Sequence, residues 1–474
     1  MNSSRWWSRG ALLLICAVTV ARVALTHDVF SPTYDEPLHV ASGFEYVAEH
    51  HYRVGMENPP LARAFFAWPL RHAHPTSTDG IERIGEVYES AGDFMRGVVL
   101  SRRGNLVFVV IGIVSTALLA GELGVNGVLA ALIFAMLPVI LAHGGLATPD
   151  VAGTSAVALA LYVFVRWLDR QSWGRTLALG AGIAFVFLTK FTFAFWFVIG
   201  ALALMAVRRR MPVRSAMAAS VFALAIIYSF YLYAHDAPKF LLGIVRVLQL
   251  SGGGQDAYLL GDVRHMGFWY YFPLVLAVKT PIPVLLLALF GMRKREFLPL
   301  TIMAAGILAV SMLSKADLGV RHIMPIFVPL SILAAGAVRN RWAIPFYAWL
   351  IAGSFLAHPD YLPWMNAFAG KHPERVVVDS NFDWGQDVVR LRDACRAKGI
   401  RDIGIAIFGT VDMKRIGMPP VHDIDPASGA PGWYAVSESF IIPAQARDPR
   451  AYTWLTREPF ERIGKTIRLY HIRG

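Results

Sequence analysis

Directly after its first apolar stretch the chain carries Tyr34-Asp35-Glu36-Pro37, two adjacent carboxylates, and soon after it Glu57-Asn58-Pro59-Pro60-Leu61-Ala62-Arg63. Acid/base chemistry on a lipid-borne substrate needs a carboxylate at that level, the edge of a membrane. A simpler use of Asp35 is to cap a helix whose first turn holds Pro37. A cap accounts for one carboxylate, but not for Glu36, Tyr34 and His39 around it. A third acid, Asp150, closes Ala147-Thr148-Pro149-Asp150 and is either the cap of the next helix or a partner of Asp35. Basic residues complete the set. Lys190 sits in a tight turn, and Arg321 and His322 open a later apolar stretch beside Lys315 and Asp317, whereas Lys279, in Lys279-Thr280-Pro281-Ile282-Pro283, lies deeper in its span. Such long side chains often only snorkel to the interface. Cations gathered near one level and facing acids also suit a phosphate, which Arg grips bidentately and Lys holds as a point charge.

No phosphate loop, dinucleotide fingerprint or HExxH pattern is present, and the 14 histidines fall at no metal-ligating spacing. No cofactor and no metal ligand is therefore expected, with a divalent cation kept as the minor alternative. His143 and the aromatic stripe Phe185–Phe197 are read as packing.

The elements that position these residues are membrane helices. The 474 residues are 55% hydrophobic and 16% charged, with mean hydropathy +0.47. The net charge of +12 comes from basic clusters between apolar runs, so it marks topology and does not call for nucleic acid. Cys16 and Cys395 lie too far apart in character to form a disulfide framework. The basic, apolar N-terminus is expected to stay as a signal-anchor.

Apolar stretches fall at 10–27, 105–121, 125–143, 151–168, 176–189, 192–207, 215–234, 267–290, 297–313, 322–338 and 342–358. Basic clusters occur at Arg5/Arg9, Arg166/Arg170/Arg175, Arg208-Arg209-Arg210/Arg214, Arg293-Lys294-Arg295 and Arg339/Arg341. If each marks the cytoplasmic side, an even number of spans separates neighbours, so 174–210 must be two short helices turning near Thr189-Lys190-Phe191. The fold class expected is a polytopic α-helical membrane protein of about eleven spans, with a small C-terminal α/β domain. Its N-terminus is inside and its C-terminus outside. Residues 1–358 form the membrane domain, with 28–104 a first outer loop containing interfacial helices, and 359–474 the outer domain. Strands are expected at Arg375–Asp379, Asp402–Phe408, Trp433–Ser437 and Ile467–Ile472. A helix should carry Val388, Leu391 and Cys395 up to Gly399, and a short one Ala451–Leu455.

The order of motifs resembles the protein O-mannosyltransferase-like glycosyltransferases of family 39, in the GT-C superfamily, with relatives that include the lipid A aminoarabinose transferase. The resemblance rests on Tyr34-Asp35-Glu36-Pro37-Leu38-His39, Asn58-Pro59-Pro60-Leu61-Ala62-Arg63, Ala147-Thr148-Pro149-Asp150 and Leu188-Thr189-Lys190-Phe191. It continues through Trp269–Pro273, Lys279-Thr280-Pro281, Gly319–Pro325 and Asp383-Trp384-Gly385-Gln386-Asp387. Asn58 and His322 depart from the usual pattern, a His before the paired prolines and an aromatic after the Arg. The resemblance implies a GT-C fold and transfer of a sugar from a polyprenyl-phosphate donor to the hydroxyl of a glycan, lipid or protein acceptor, on the outer face of the inner membrane. Asp35 would be the base. Glu36 or Asp150 would hold the acceptor or the oxocarbenium-like centre, and Lys190 and Arg321 the phosphate. His322, His39, Asn58 and Lys279 would line the substrate site. One base opposite one leaving group implies inversion. The competing class is a transporter or flippase of lipid-linked sugars, although no internal repeat is visible.

Overall fold

The computed structural model describes residues 2–208, 212–337 and 341–473. Of the basic clusters, Arg209, Arg210 and Arg339 lie outside these residues. Every apolar stretch is helical. Two of them are broken: Gly127–Ala135 and Pro138–Gly144 meet at 67°, and Tyr271–Lys279 and Ile282–Met292 at 116°. Pro138 and the Pro281/Pro283 pair stand at these breaks, where a missing N–H and a fixed φ interrupt the helical ladder. Among the described residues four helices are long and apolar enough to cross a membrane, and six if each bent pair is one span. Length and apolarity alone therefore support up to six of the eleven crossings expected.

The turn at Lys190 is present. Trp173–Thr189 ends there, Lys190 itself is extended (φ −159°, ψ 114°), and Phe191–Arg208 begins. The second helix then runs back beside Pro149–Asp169: Phe197 meets Phe164 edge-on at 6.2 Å, and Gly200 lies against Leu161. The helix Pro149–Asp169 is thus central and mostly buried, whereas Val213–Tyr233 is peripheral and turns Met217, Val221 and Leu232 outward. An outward apolar stripe of this kind suits lipid.

The first loop folds into Glu36–Glu49, Pro60–Ala67, Gly80–Glu89 and Phe94–Arg103. Asp79 and Asp93 cap the last two through the N–H groups of Ile81, Glu82 and Arg96. Gly43 lets the first helix approach the Arg63 carbonyl so closely that any side chain there would collide with it. The aromatic residues of the second of these helices divide: Phe66 is fully buried, while Phe65, and Trp68 just after it, face outward.

Among the described residues seven strands occur: β1 (Ala257–Leu259), β2 (Asp262–Arg264), β3 (Ile403–Ala406), β4 (Val421–Asp423), β5 (Gly432–Ser437), β6 (Phe460–Ile463) and β7 (Ile467–Ile472). The last five form one sheet in the order β4-β3-β5-β7-β6. It is parallel from β4 through β3 to β5 and antiparallel beyond. Val388–Lys398 is the expected helix, with Val388, Leu391 and Cys395 buried and Gly399 closing it at φ 64°. The strand expected at Arg375–Asp379 is not formed. Pro373–Arg375 and Asp379–Asn381 are 3-10 turns there, and the carbonyls of Arg375 and Val376 accept from Tyr258 OH and Leu260 N of the β1–β2 hairpin and not from the five-stranded sheet. The short β4 and β6 and the helix Glu438–Arg447 were not anticipated. Val377, Val388 and Leu391 join the same buried cluster as Phe108 and Ile113, so the apolar core runs unbroken from the spans into the C-terminal region.

Asp383, fully buried in that region, accepts from Ser439 N at 2.9 Å and from Gly385 N at 3.2 Å. Burial pushes its carboxyl up to about 7. Between the unfolded carboxylate value of about 3.9 and about 7 the folded chain keeps this proton and the unfolded chain does not. Stability therefore falls as pH rises through that window. Asp379 and Asp317, both pushed up by burial to about 6, act in the same sense. Thermal unfolding of the detergent-solubilised protein is expected to shift to lower temperature between pH 5 and pH 8. Asp383→Asn should flatten that slope, and an unchanged slope would contradict the assignment.

Candidate active site

Asp35 occupies the N-cap position of Glu36–Glu49, yet its side chain caps nothing. Its Oδ2 instead accepts from Arg321 Nη1 at 2.8 Å, with the Asp35 side chain 24% and the Arg321 side chain 11% exposed. Arg321 stands one residue into the 3-10 helix Val320–Ile326, after Gly319 at φ 111°. Its guanidinium lies over the Trp384 ring, 4.4 Å from the centroid. The pair is 286 residues apart in sequence and still reaches water.

The second pair is Asp150 and Lys190. Asp150 is in the first turn of Pro149–Asp169 and does not cap it; Thr148 holds that position. Its Oδ1 takes the Lys190 ammonium directly. Its Oδ2 is 3.8 Å from His143 Nδ1. Lys190 also lies 4.7 Å from the centre of the Phe193 ring. Asp150 Oδ2, His143 Nδ1 and His322 Nε2 are buried with no hydrogen-bond partner among the described residues. Asp35, Asp150, Lys190 and Arg321 are within electrostatic reach of one another. The site is thus two acid–cation pairs side by side, one sealed and one open.

Glu36 is a different kind of acid. It is 1% exposed and grips Arg102 with both oxygens, each at 2.8 Å. It also accepts from Thr33 N at 2.7 Å and Ala147 N at 2.8 Å. Burial alone would raise its carboxyl, but the Arg102 guanidinium and these N–H groups hold it below the usual carboxylate range. Arg102 spends its remaining donors on the carbonyls of His27, Phe30 and Ser31. Glu36 therefore ties the first span, the first loop and the Ala147 turn together, with its oxygens occupied.

The other expected site residues divide. His39 is buried and accepts from Arg63 Nε at 3.1 Å, within electrostatic reach of Asp150, Arg321 and Lys190. His322 adjoins Arg321, and its carbonyl accepts from Trp196 Nε1 at 2.9 Å. Asn58 contributes its backbone carbonyl to Tyr52 and Arg63 and stands in the turn ahead of Pro60–Ala67. Lys279 gives its three protons to the carbonyls of Leu362, Trp364 and Asn381 at 2.6, 2.9 and 2.7 Å, so it fastens the bent helix to the C-terminal region. Arg102, Arg63 and Trp384 were not singled out as site residues, and His143 was read as packing. Arg102 was readable in principle, as a cation next to a long apolar run with no cytoplasmic cluster to join. Among the described residues no three His, Cys, Asp or Glu side chains form a group that could hold a metal ion.

This architecture, helices on which acids and cations meet followed by a C-terminal sheet, has a counterpart among solved structures. It matches ArnT from Cupriavidus metallidurans bound to undecaprenyl phosphate at 15% identity and TM-score 0.52, over 97% of this chain and 98% of that one. The apo form of the same protein matches at TM-score 0.51, with the same identity and coverage. Residues 96–233 match the family model described as dolichyl-phosphate-mannose-protein mannosyltransferase. None of the curated proteins matches the sequence. The likeness to ArnT is one of fold, and the family model covers only residues 96–233 of the chain.

The two adjacent acids should separate in a stability measurement. Removing one partner of a buried ion pair costs about 3–5 kcal/mol, because the other charge stays buried alone. Glu36→Gln and Arg102→Met are expected to lower the unfolding midpoint strongly. Asp35→Asn, breaking a partly exposed pair, should cost under about 1 kcal/mol. Equal midpoints for Glu36→Gln and Asp35→Asn would show that Glu36 does not have this structural role.

Proposed function

We propose that the chain transfers a sugar from a polyprenyl-phosphate carrier to an acceptor hydroxyl, on the extracytoplasmic face, with Asp35 as the base. The observation that carries this reading is the Asp35–Arg321 pair: an acid and a phosphate-gripping cation hold one another at the only edge of the cluster that reaches water. A phosphodiester donor carries one negative charge, and the departing polyprenyl phosphate approaches two. Lys190 and Arg321, already fixed, are placed to take up that growing charge. When the donor phosphate engages Arg321, it replaces Asp35 as the guanidinium's partner. Asp35 is then free to accept a proton from the acceptor hydroxyl. The acceptor oxygen forms its bond to the anomeric carbon as the bond from that carbon to the phosphate oxygen breaks, and the electron pair leaves with the phosphate. Attack opposite the leaving group inverts the anomeric centre. Glu36 keeps Asp35 in place and takes no part in the proton transfer.

An apolar cavity of about 790 Å³ lies between the first-loop helices and Val213–Tyr233, lined by Tyr46, Leu61, Phe65, Trp68, Phe230 and Tyr233 among others. Tyr46 is ten residues along its helix from Glu36, roughly 15 Å at the helical rise. That is a suitable distance for the tail of a lipid whose phosphate sits at Arg321, and the cavity is our candidate for the prenyl chain.

The test is transfer by the purified protein in lipid vesicles, read as polyprenyl phosphate released from a panel of pentose and hexose donors. Asp35→Asn should lower kcat at least about a hundredfold in folded protein, and Arg321→Gln should act mainly through donor KM. Undiminished transfer by Asp35→Asn would overturn the mechanism. Carrier movement across the vesicle without transfer would favour a flippase.

A further inference from the structure

The acid and the cation of the open pair come from opposite ends of the chain, and both are held by one short segment of the C-terminal region. Asn381 uses both polar groups of its side chain, and its carbonyl, on the membrane part. Its Oδ1 accepts from Val320 N at 2.9 Å, its Nδ2 donates to Tyr271 OH at 2.8 Å, and its carbonyl accepts from Lys279 Nζ at 2.7 Å. Ser380 Oγ donates to the Leu318 carbonyl. The backbone is therefore pinned at Leu318 and Val320, on either side of Gly319 and immediately before Arg321. Gly319 itself has φ 111°, and a Cβ there would collide with Ser380 Oγ.

Trp384 fixes the other end of the side chain. Its ring, 1% exposed, lies under the Arg321 guanidinium at 4.4 Å and meets His143 edge-on at 5.9 Å. Its carbonyl accepts from Tyr34 N at 3.0 Å, the residue before Asp35. Ser31 is bonded to the same turn, through its N–H to the Gln386 carbonyl at 3.0 Å and its Oγ to the Gly385 carbonyl at 2.7 Å. Gln386 closes the turn on itself, accepting from Trp384 N at 2.7 Å and donating to the Phe382 carbonyl at 2.9 Å.

We infer that Ser380–Gln386 is the second wall of the active site, and that Asn381 and Trp384 are positioning residues that hold Arg321 for the donor phosphate. Docking of the C-terminal region has other contributors: Val377, Val388 and Leu391 share the buried core of the spans, and Arg415 meets Glu82 and Glu89 of the first loop. A guanidinium held over an indole face keeps that contact while it trades Asp35 for a phosphate. The inference rests on Arg321 as a phosphate ligand.

The test measures binding of undecaprenyl phosphate to the full-length protein in nanodiscs, with transfer assayed in parallel. Trp384→Leu is expected to weaken binding about tenfold and to raise donor KM more than it lowers kcat. Trp384→Phe should recover most of this, and Arg415→Gln should bind as the parent does. In an Arg321→Gln background, Trp384→Leu should cost nothing further, since its effect passes through that guanidinium. Should Trp384→Leu not fold, Trp384→Phe carries the same cycle: a two- to threefold loss that vanishes with Arg321→Gln supports the inference, and a loss that persists overturns it. Parental binding by Trp384→Leu overturns the inference while leaving the proposed transfer standing. A parent that neither binds undecaprenyl phosphate nor transfers sugar overturns both.

Discussion

The structure depends on one buried ion pair. Glu36 and Arg102 are both withdrawn from water, and two charges so placed must satisfy every remaining donor and acceptor locally. Arg102 does so with three carbonyls of the segment following the first span, and Glu36 with N–H groups of Thr33 and Ala147. The first span, the first loop and the start of Pro149–Asp169 are thereby fixed to one point. Asp35, next in the chain, turns the other way and stays partly wet. Adjacent carboxylates thus acquire opposite surroundings, one holding the frame and one facing water.

From that point the placement of the other groups follows. The Ala147 turn that Glu36 holds is the entry to the helix carrying Asp150, and Asp150 fixes Lys190 at the break between two helices. Arg321 arrives from the far end of the membrane part, with its backbone bound by Asn381 and its guanidinium by Trp384. Each cation is neutralised by an acid, Lys190 by Asp150 and Arg321 by Asp35. The bent helix Tyr271–Lys279/Ile282–Met292 is held open by Lys279 on three carbonyls. A broken helix of this kind also occurs in transporters, but here its cation is spent on structure.

Much of this was legible in the sequence. Asp35, Asp150, Lys190 and Arg321 stood out because charges at the ends of apolar runs need a reason, and the parity of basic clusters required the turn at Lys190 that the structure contains. Roles were harder to read than positions. Asp35 and Glu36 are equivalent in sequence, and only the partner Arg102, 66 residues away, separates them. Asn58 and Lys279 carry the motif yet act through a backbone carbonyl and on backbone carbonyls, which side-chain type does not reveal. Val376, Val377 and Val378 suggest a strand by β-propensity. Bonds from Leu260 and from Tyr258, 117 residues away, override it. His143 looked like packing because a lone histidine in an apolar run usually is.

The central claim is the exchange of partners at Arg321. A cryo-electron microscopy structure with undecaprenyl phosphate tests it most directly. The account predicts a phosphate between Lys190 and Arg321, the guanidinium still over Trp384, and Asp35 released from Arg321 with the Glu36–Arg102 pair unchanged. A phosphate bound elsewhere, with the Asp35–Arg321 pair intact, would contradict it.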